Sequence, residues 1–187
     1  MTQPVRAFLA FEVPDAVRRR LAAERTALRR DLPRARWTRP EAWHLTLKFL
    51  GESDPAVLAN LMIGLREALR GVDTARAQLR GSGFFPHPAN PRVAWLGGSI
   101  SGVEPILEAV ERAAHGSGFP RERRPWSLHL TLARLSSRWP RAAVEQFLEW
   151  GERTDLGTFP CSEVVLFKST LQPGGAVYTA LERIELQ

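Results

Sequence analysis

The chain has little cysteine, little lysine and no long apolar run, and each shortage removes a class of protein. Cys161 is the single cysteine in 187 residues, so no intrachain disulfide forms and the paired CxxC ligands of a structural zinc site are missing. Its context, "FPCSEVVLF", leads into an apolar strand, where a thiol acts as a small, inert, half-buried hydrophobe. No apolar segment approaches the ~20 residues that a membrane-spanning helix needs. The opening "MTQPVRAFLAFEVPD" lacks the basic stretch, apolar stretch and small-residue cleavage site of an export signal, so a cytoplasmic location is expected. Lysine is nearly absent: of 26 basic residues only Lys48 and Lys168 are not arginine. Against 20 acidic residues the net charge is +6. Guanidinium forks match phosphate oxygens in pairs, so the excess is compatible with a nucleic-acid or nucleotide partner. An arginine-for-lysine bias is also what a GC-rich genome produces. The runs "RRR" at 18–20 and "RERR" at 121–124 read as solvated faces.

What is present is an ordinary globular mixture. Hydrophobic residues make up 44% and charged residues 25%, which argues against a disordered or fibrous chain. The length suffices for one compact domain or two small lobes. Periodicity alternates short strand patterns with amphipathic helices. "RAFLAFEV" (6–13) reads as a strand. "DAVRRRLAAERTALRRDL" reads as a surface helix with Val17, Leu21, Ala22 and Leu28 on its apolar side, ending before Pro33. "WHLTLKFLG" (43–51) is the next strand. Ser53-Asp54-Pro55 starts a helix, a capping side chain followed by proline, which runs to about Arg70-Gly71. Two strands, "AQLRGSGFFP" and "PRVAWLGG", are joined by the turn-rich "HPAN". The second half repeats this order: a helix at about 102–115, the strand "WSLHLTLARL", a helix from about Pro140 to Glu152, and strands "SEVVLFKSTL" and "AVYTALERIEL" joined by "QPGG".

The motif His-Leu-Thr-Leu occurs twice, at 44–47 and at 129–132. The spacing that follows it repeats as well. Phe85 and Val93 lie 41 and 49 residues after His44, and Thr170 and Val177 lie 41 and 48 residues after His129. The sequence therefore reads as one domain, 1–187, with an internal duplication whose repeats span about 14–98 and 102–186. Hairpin-paired strands with helices between them imply an α+β fold. The expected form is bilobal, with two lobes related by a pseudo-twofold axis, each an antiparallel sheet with outer helices, and an active-site cleft between them.

Strand side chains alternate faces, so His44 and Thr46 point one way and Leu45 and Leu47 the other; the same holds for His129 and Thr131. Lobes facing one another would bring two imidazoles and two hydroxyls into one cleft. Two imidazoles around one centre suit general acid–base chemistry near neutral pH. In a phosphodiester the attacking and leaving oxygens lie on opposite sides of phosphorus, so acid and base approach from opposite sides. Thr46 and Thr131 can hold the non-bridging oxygens, and Arg134, five residues after His129, is a candidate phosphate fork. Its counterpart in the first repeat is Phe49, where the symmetry breaks. A duplicated core strand, its histidines satisfied by backbone carbonyls, is the plainer alternative. A metal site is disfavoured by the lack of nearby carboxylates or further histidines. His87 lies in a turn and His115 near a helix end, and surface roles suffice for both.

Two HxT motifs in strands of a duplicated α+β unit resemble the two-histidine (2H) phosphoesterase superfamily. More closely, the chain is similar to the bacterial and archaeal RNA 2′,3′-cyclic phosphodiesterases, also called 2′-5′ RNA ligases. The likeness extends over nearly the whole chain, through "RAFLAFEVP", "HLTLKFLGE", "GSGFFP", "PRVAWLGG", "HLTLAR" and "LFKSTLQPGGAVYTALERIEL". One departure is Leu128, where many relatives have proline before the second histidine; its side chain is expected to point away from the cleft. The resemblance implies hydrolysis of terminal RNA 2′,3′-cyclic phosphate to 2′-phosphate, with no metal and no cofactor. It also implies a reversible 2′-5′ joining of RNA, notably of tRNA halves. His44 is implied as proton donor, His129 as proton acceptor, and Thr46, Thr131 and Arg134 as phosphate ligands. Phe8, Phe11 and Phe49 are aromatics expected to stack on the terminal base. The partners are then RNA ends or nucleotide cyclic phosphates, with no membrane, and the protein is expected to be a monomer. Two other readings stay open: a cyclic phosphodiesterase for a small nucleotide, such as ADP-ribose cyclic phosphate or 2′-5′ oligoadenylate, and a non-catalytic module that holds RNA ends.

Overall fold

The computed structural model describes residues 3–173 and 175–187. The first strand, β1 (Val5–Glu12), explains its own composition. It is apolar at nearly every position because it is central in its sheet and covered on both faces. Ala7, Leu9 and Phe11 enter the main core, while Phe8 and Ala10 enter a second, smaller cluster on the other face.

Helix α1 (Asp15–Asp31) buries Val17, Leu21 and Leu28 and stops before Pro33. A two-residue strand, β2 (Arg36–Trp37), and a 3₁₀ turn (Pro40–Ala42) lead into β3 (His44–Ser53). Helix α2 (Pro55–Ala68) begins as its start signal requires, with the Asp54 carboxylate accepting from the Ala56 N–H at 2.8 Å. The hairpin β4 (Ala75–His87) and β5 (Asn90–Ser101) follows, then α3 (Glu104–Gly116). The second motif strand, β6 (Leu130–Arg134), precedes α4 (Arg141–Arg153) and β7 (Thr158–Cys161), and the hairpin β8 (Glu163–Gln172) and β9 (Gly175–Glu185) closes the fold. Of the expected "QPGG" turn, Gly174 lies outside the described residues.

The fold is α+β; the described residues form four helices and two antiparallel sheets, one in the order β3-β1-β8-β9 and the other in the order β2-β6-β5-β4-β7. Each sheet crosses the two halves of the sequence. The first joins β3 to the hairpin β8–β9 through β1, and the second joins β6 to the hairpin β4–β5. The repeats drawn at 14–98 and 102–186 therefore do not coincide with the lobes. Local patterns fix strands, whereas pairing partners depend on long-range packing that hairpin spacing leaves open.

Two further expectations change. Strand β6 is shorter than "WSLHLTLARL": pairing with β5 ends at Leu96↔Leu130, where Gly97 and Gly98 follow. His129 therefore stands at its threshold. Strands β2 and β7 were absent from the periodicity because they are only two and four residues long.

Candidate active site

Both motif strands carry an irregularity at the same place. In β3, Leu9 pairs with Lys48 and Ala10 with Thr46, so one residue of β3 is skipped; in β6, Ala94 pairs with Ala133 and Trp95 with Thr131, skipping Leu132. A bulge inverts the alternation beyond it. Strict alternation from each histidine would place Lys48 and Ala133 on the cleft face and turn Phe49 and Arg134 to the back. Instead Lys48 is buried against α3, paired with Glu111 at 2.6 Å and bonded to the Pro120 carbonyl at 3.0 Å. Phe49 and Arg134 rejoin the face of His44, Thr46 and Thr131. The bulges thus put the fifth residue after each histidine into the cleft.

The histidines are held alike. His44 Nδ1 lies 2.8 Å from the Ala42 carbonyl and His129 Nδ1 lies 3.0 Å from the Ser127 carbonyl. A carbonyl only accepts, so in each ring Nδ1 carries the proton and Nε2 is left for chemistry. Burial pushes the His44 pKa down from 6.5 to about 4; its bond to Ala42 opposes this and the charge of His129 adds to it. His44 is therefore neutral at pH 7, and the two rings are near enough to sense each other's charge.

The threonine carbonyls are also fixed in parallel. Trp126 Nε1 donates to the Thr46 carbonyl at 2.9 Å. Thr38 Oγ1 donates toward the Thr131 and Leu132 carbonyls, both at 2.9 Å, and accepts from Trp43 Nε1 at 2.8 Å. Strands β3 and β6 are themselves in contact. The motif strands are thereby tied to one another's approaches.

Aromatic rings line both walls. On the first sheet the His44 ring packs on Phe8 at 4.7 Å and meets Tyr178 edge-on at 5.0 Å and 87°. Phe8 also stacks on Phe167 at 5.3 Å. Burial raises the Tyr178 pKa, while the charges of Arg134 and Arg6 lower it, so a strand-β9 phenol senses arginines of both sheets. On the second sheet His129 meets Phe85 edge-on at 5.1 Å, and Phe85 packs on Trp95 at 5.3 Å. The Trp95 indole lies flat because Gly83 and Gly97 give it room: a Cβ at Gly83 would come within 2.3 Å of the ring, and one at Gly97 within 2.8 Å.

The three aromatics expected to stack on a base separate. Phe49 is on the cleft face and 71% exposed. Phe8 faces the cleft but is 3% exposed, because it is covered by His44 and Tyr178 and supports the imidazole instead. Phe11 is 0% exposed and packs in the main core, on the face of its partner Leu45. It cannot reach a ligand. Leu128 is buried in the main core, away from the cleft. Cys161 is buried more fully than its context suggested, and burial pushes its pKa up to about 12, leaving an inert thiol. A cavity of about 660 Å³ opens beside the site, lined by Trp95, Trp126, Ser127 and Leu128 among others, but neither histidine lines it. Sequence reading missed Tyr178, Phe85, Trp95 and Trp126; only the "GSG" before Phe84 hinted at a ring lying flat on the hairpin.

Comparisons with known proteins agree with this architecture. A curated RNA 2′,3′-cyclic phosphodiesterase of Thermus thermophilus is 35% identical over 98% of this chain and 91% of its own length. One from Methanothermobacter thermautotrophicus is 30% identical over 97% and 99%. Among solved structures, a protein of Thermus thermophilus superposes with a TM-score of 0.77 at 29% identity, covering 97% of both chains. Escherichia coli LigT complexed with 3′-AMP superposes at 0.75 and 25% identity, covering 99% of both. The sequence pattern of LigT-like phosphoesterases matches residues 11–95 and 100–178, and the chain belongs to that family.

Proposed function

We propose that the protein hydrolyses RNA 2′,3′-cyclic phosphate termini to 2′-phosphates, using His129 as proton acceptor and His44 as proton donor. The observation that carries this reading is the matched pair of imidazoles, each fixed through Nδ1 to a backbone carbonyl and each leaving Nε2 free. Relatives named RNA 2′,3′-cyclic phosphodiesterase at 30–35% identity support the substrate class.

The step balances without a further reagent. Water attacks phosphorus and its proton passes to His129 Nε2. The P–O3′ bond breaks, and O3′ takes the proton from His44 Nε2. The products are a 2′-phosphomonoester and a 3′-hydroxyl, with one proton moved from one histidine to the other. An RNA 5′-hydroxyl in place of water gives a 2′-5′ linkage, the joining reaction, which reverses through the same groups. Thr46 and Thr131 hold the non-bridging oxygens, and Arg134 offsets the charge that develops on them. Phe49 takes the terminal base.

His44 is neutral in the free protein, so it acquires its proton together with the substrate, whose negative charge stabilises the imidazolium. The single buried thiol suits a reducing, cytoplasmic compartment, and we take the protein to act as a monomer. His44→Ala and His129→Ala are each expected to lower turnover of a cyclic-phosphate RNA by ~10²-fold or more while leaving RNA binding within a few-fold. Normal hydrolysis by the double variant would refute the mechanism.

A further inference from the structure

Arg36 stands directly opposite Arg134 in the β2–β6 pair, and both are exposed. Opposed residues in an antiparallel pair point to the same face, with Cβ atoms ~5 Å apart, and like charges there repel. Among the described residues neither guanidinium has a carboxylate partner, although six other arginines and lysines do. Strand β2 is only two residues long, yet it is tied in by the Thr38 bonds to β6. An edge strand held this firmly sets a second unpaired cation beside Arg134 on the cleft face. We propose that Arg36 binds the phosphodiester immediately upstream of the terminal nucleotide, and so selects polynucleotide ends over mononucleotide cyclic phosphates.

This rests on the cyclic phosphodiesterase reading and deepens it. A cyclic phosphate carries one negative charge, which Arg134 and the His44 imidazolium already meet. The second guanidinium then needs a second anion, which a mononucleotide lacks and an RNA chain supplies one residue upstream. Arg36 lies one strand further out than Arg134, ~4.8 Å from it across the sheet, on the side away from β5. The charges of Arg134 on the second sheet and Arg6 on the first both reach Tyr178, so the positive field spans the two sheets.

The test compares Arg36→Ala with wild type on adenosine 2′,3′-cyclic phosphate and on a dinucleotide and a hexanucleotide ending in the cyclic phosphate. Wild type must turn over the mononucleotide; if it turns over none of the three, the underlying reading fails rather than this one. The expected result is that the ratio of kcat/KM on the oligonucleotides to that on the mononucleotide falls about tenfold in the variant. The slope of log kcat/KM against log salt for the oligonucleotides should become shallower by ~0.7, the loss of one single-strand phosphate contact. The Tm of the variant should match or exceed that of wild type, since a repulsion is removed. An unchanged ratio, an equal loss on all three substrates, or a fall in Tm of several degrees would each overturn the assignment.

Discussion

Trp126 donates its indole N–H to the carbonyl of Thr46 at 2.9 Å, across 80 residues of sequence. Strand β3 is the outer strand of its sheet, so this carbonyl sits on an edge with no ladder partner there. The bond ties the segment that carries His129 to the strand that carries His44. Trp126→Phe keeps an aromatic ring and removes the donor. It should cost about 1–3 kcal/mol of stability, the usual penalty for an orphaned, partly buried acceptor. Because the strands then drift, kcat should fall more than KM rises. Denaturant unfolding and steady-state kinetics read both, and a variant equal to wild type in each would show that the tie is idle.

Gly83 makes the floor on which Trp95 lies. In Gly83→Ala the added methyl displaces the indole, and with it the Phe85 ring that packs on His129. Overpacking of this kind costs about 1–3 kcal/mol. A lower Tm together with reduced turnover is expected, whereas Gly64→Ala, where nothing lies within 4 Å of the added carbon, should leave turnover unchanged.

The His44 pKa has a consequence for stability. Its folded value, about 4, lies below the ordinary 6.5, so between those values the unfolded chain binds more protons and stability falls as pH drops. Over that window the loss should approach about 3 kcal/mol and then level off below pH 4. His44→Gln should flatten this part of the curve in pH-dependent denaturant melts. A wild-type profile that is flat from pH 6.5 to 4 would contradict the burial of an unprotonated imidazole.

Phe49 and Phe11 test which aromatic meets the base. Phe49→Ala should raise KM for a nucleoside cyclic phosphate several-fold to a hundredfold, from about 1–3 kcal/mol of stacking, and leave the melting temperature nearly unchanged. Phe11→Leu should do the reverse. The opposite pattern would reinstate Phe11 as a ligand contact.

Much of this was readable in the residues. The period-two pattern of His44-Leu45-Thr46-Leu47 and of His129-Leu130-Thr131-Leu132 requires the faces that the structure shows, because alternation over four residues leaves little freedom. Arg134 is different. Counting from His129 puts it on the wrong face, and only the bulge at Leu132 turns it back. Nothing in "HLTLAR" announces that bulge, since it is a property of the pairing with β5. The exchange of hairpins between sheets was hidden for the same reason, and with it Tyr178, which comes from the far end of the chain to lie against His44. Phe8 and Phe11 were indistinguishable in an apolar strand covered on both faces. Parity alone would put Lys48, four residues after His44, on the cleft face, whereas it is a buried partner of Glu111.

The reaction turns on which bond breaks and which groups move the proton. The most direct measurement is a product assay on adenosine 2′,3′-cyclic phosphate and a cyclic-phosphate oligonucleotide, in excess EDTA, resolving 2′- from 3′-phosphate. Wild type is expected to give 2′-phosphate alone, undiminished by chelator, with turnover reduced at least ~10²-fold in both His44→Ala and His129→Ala. Formation of 3′-phosphate, loss of activity in EDTA, or full activity in either variant would contradict it.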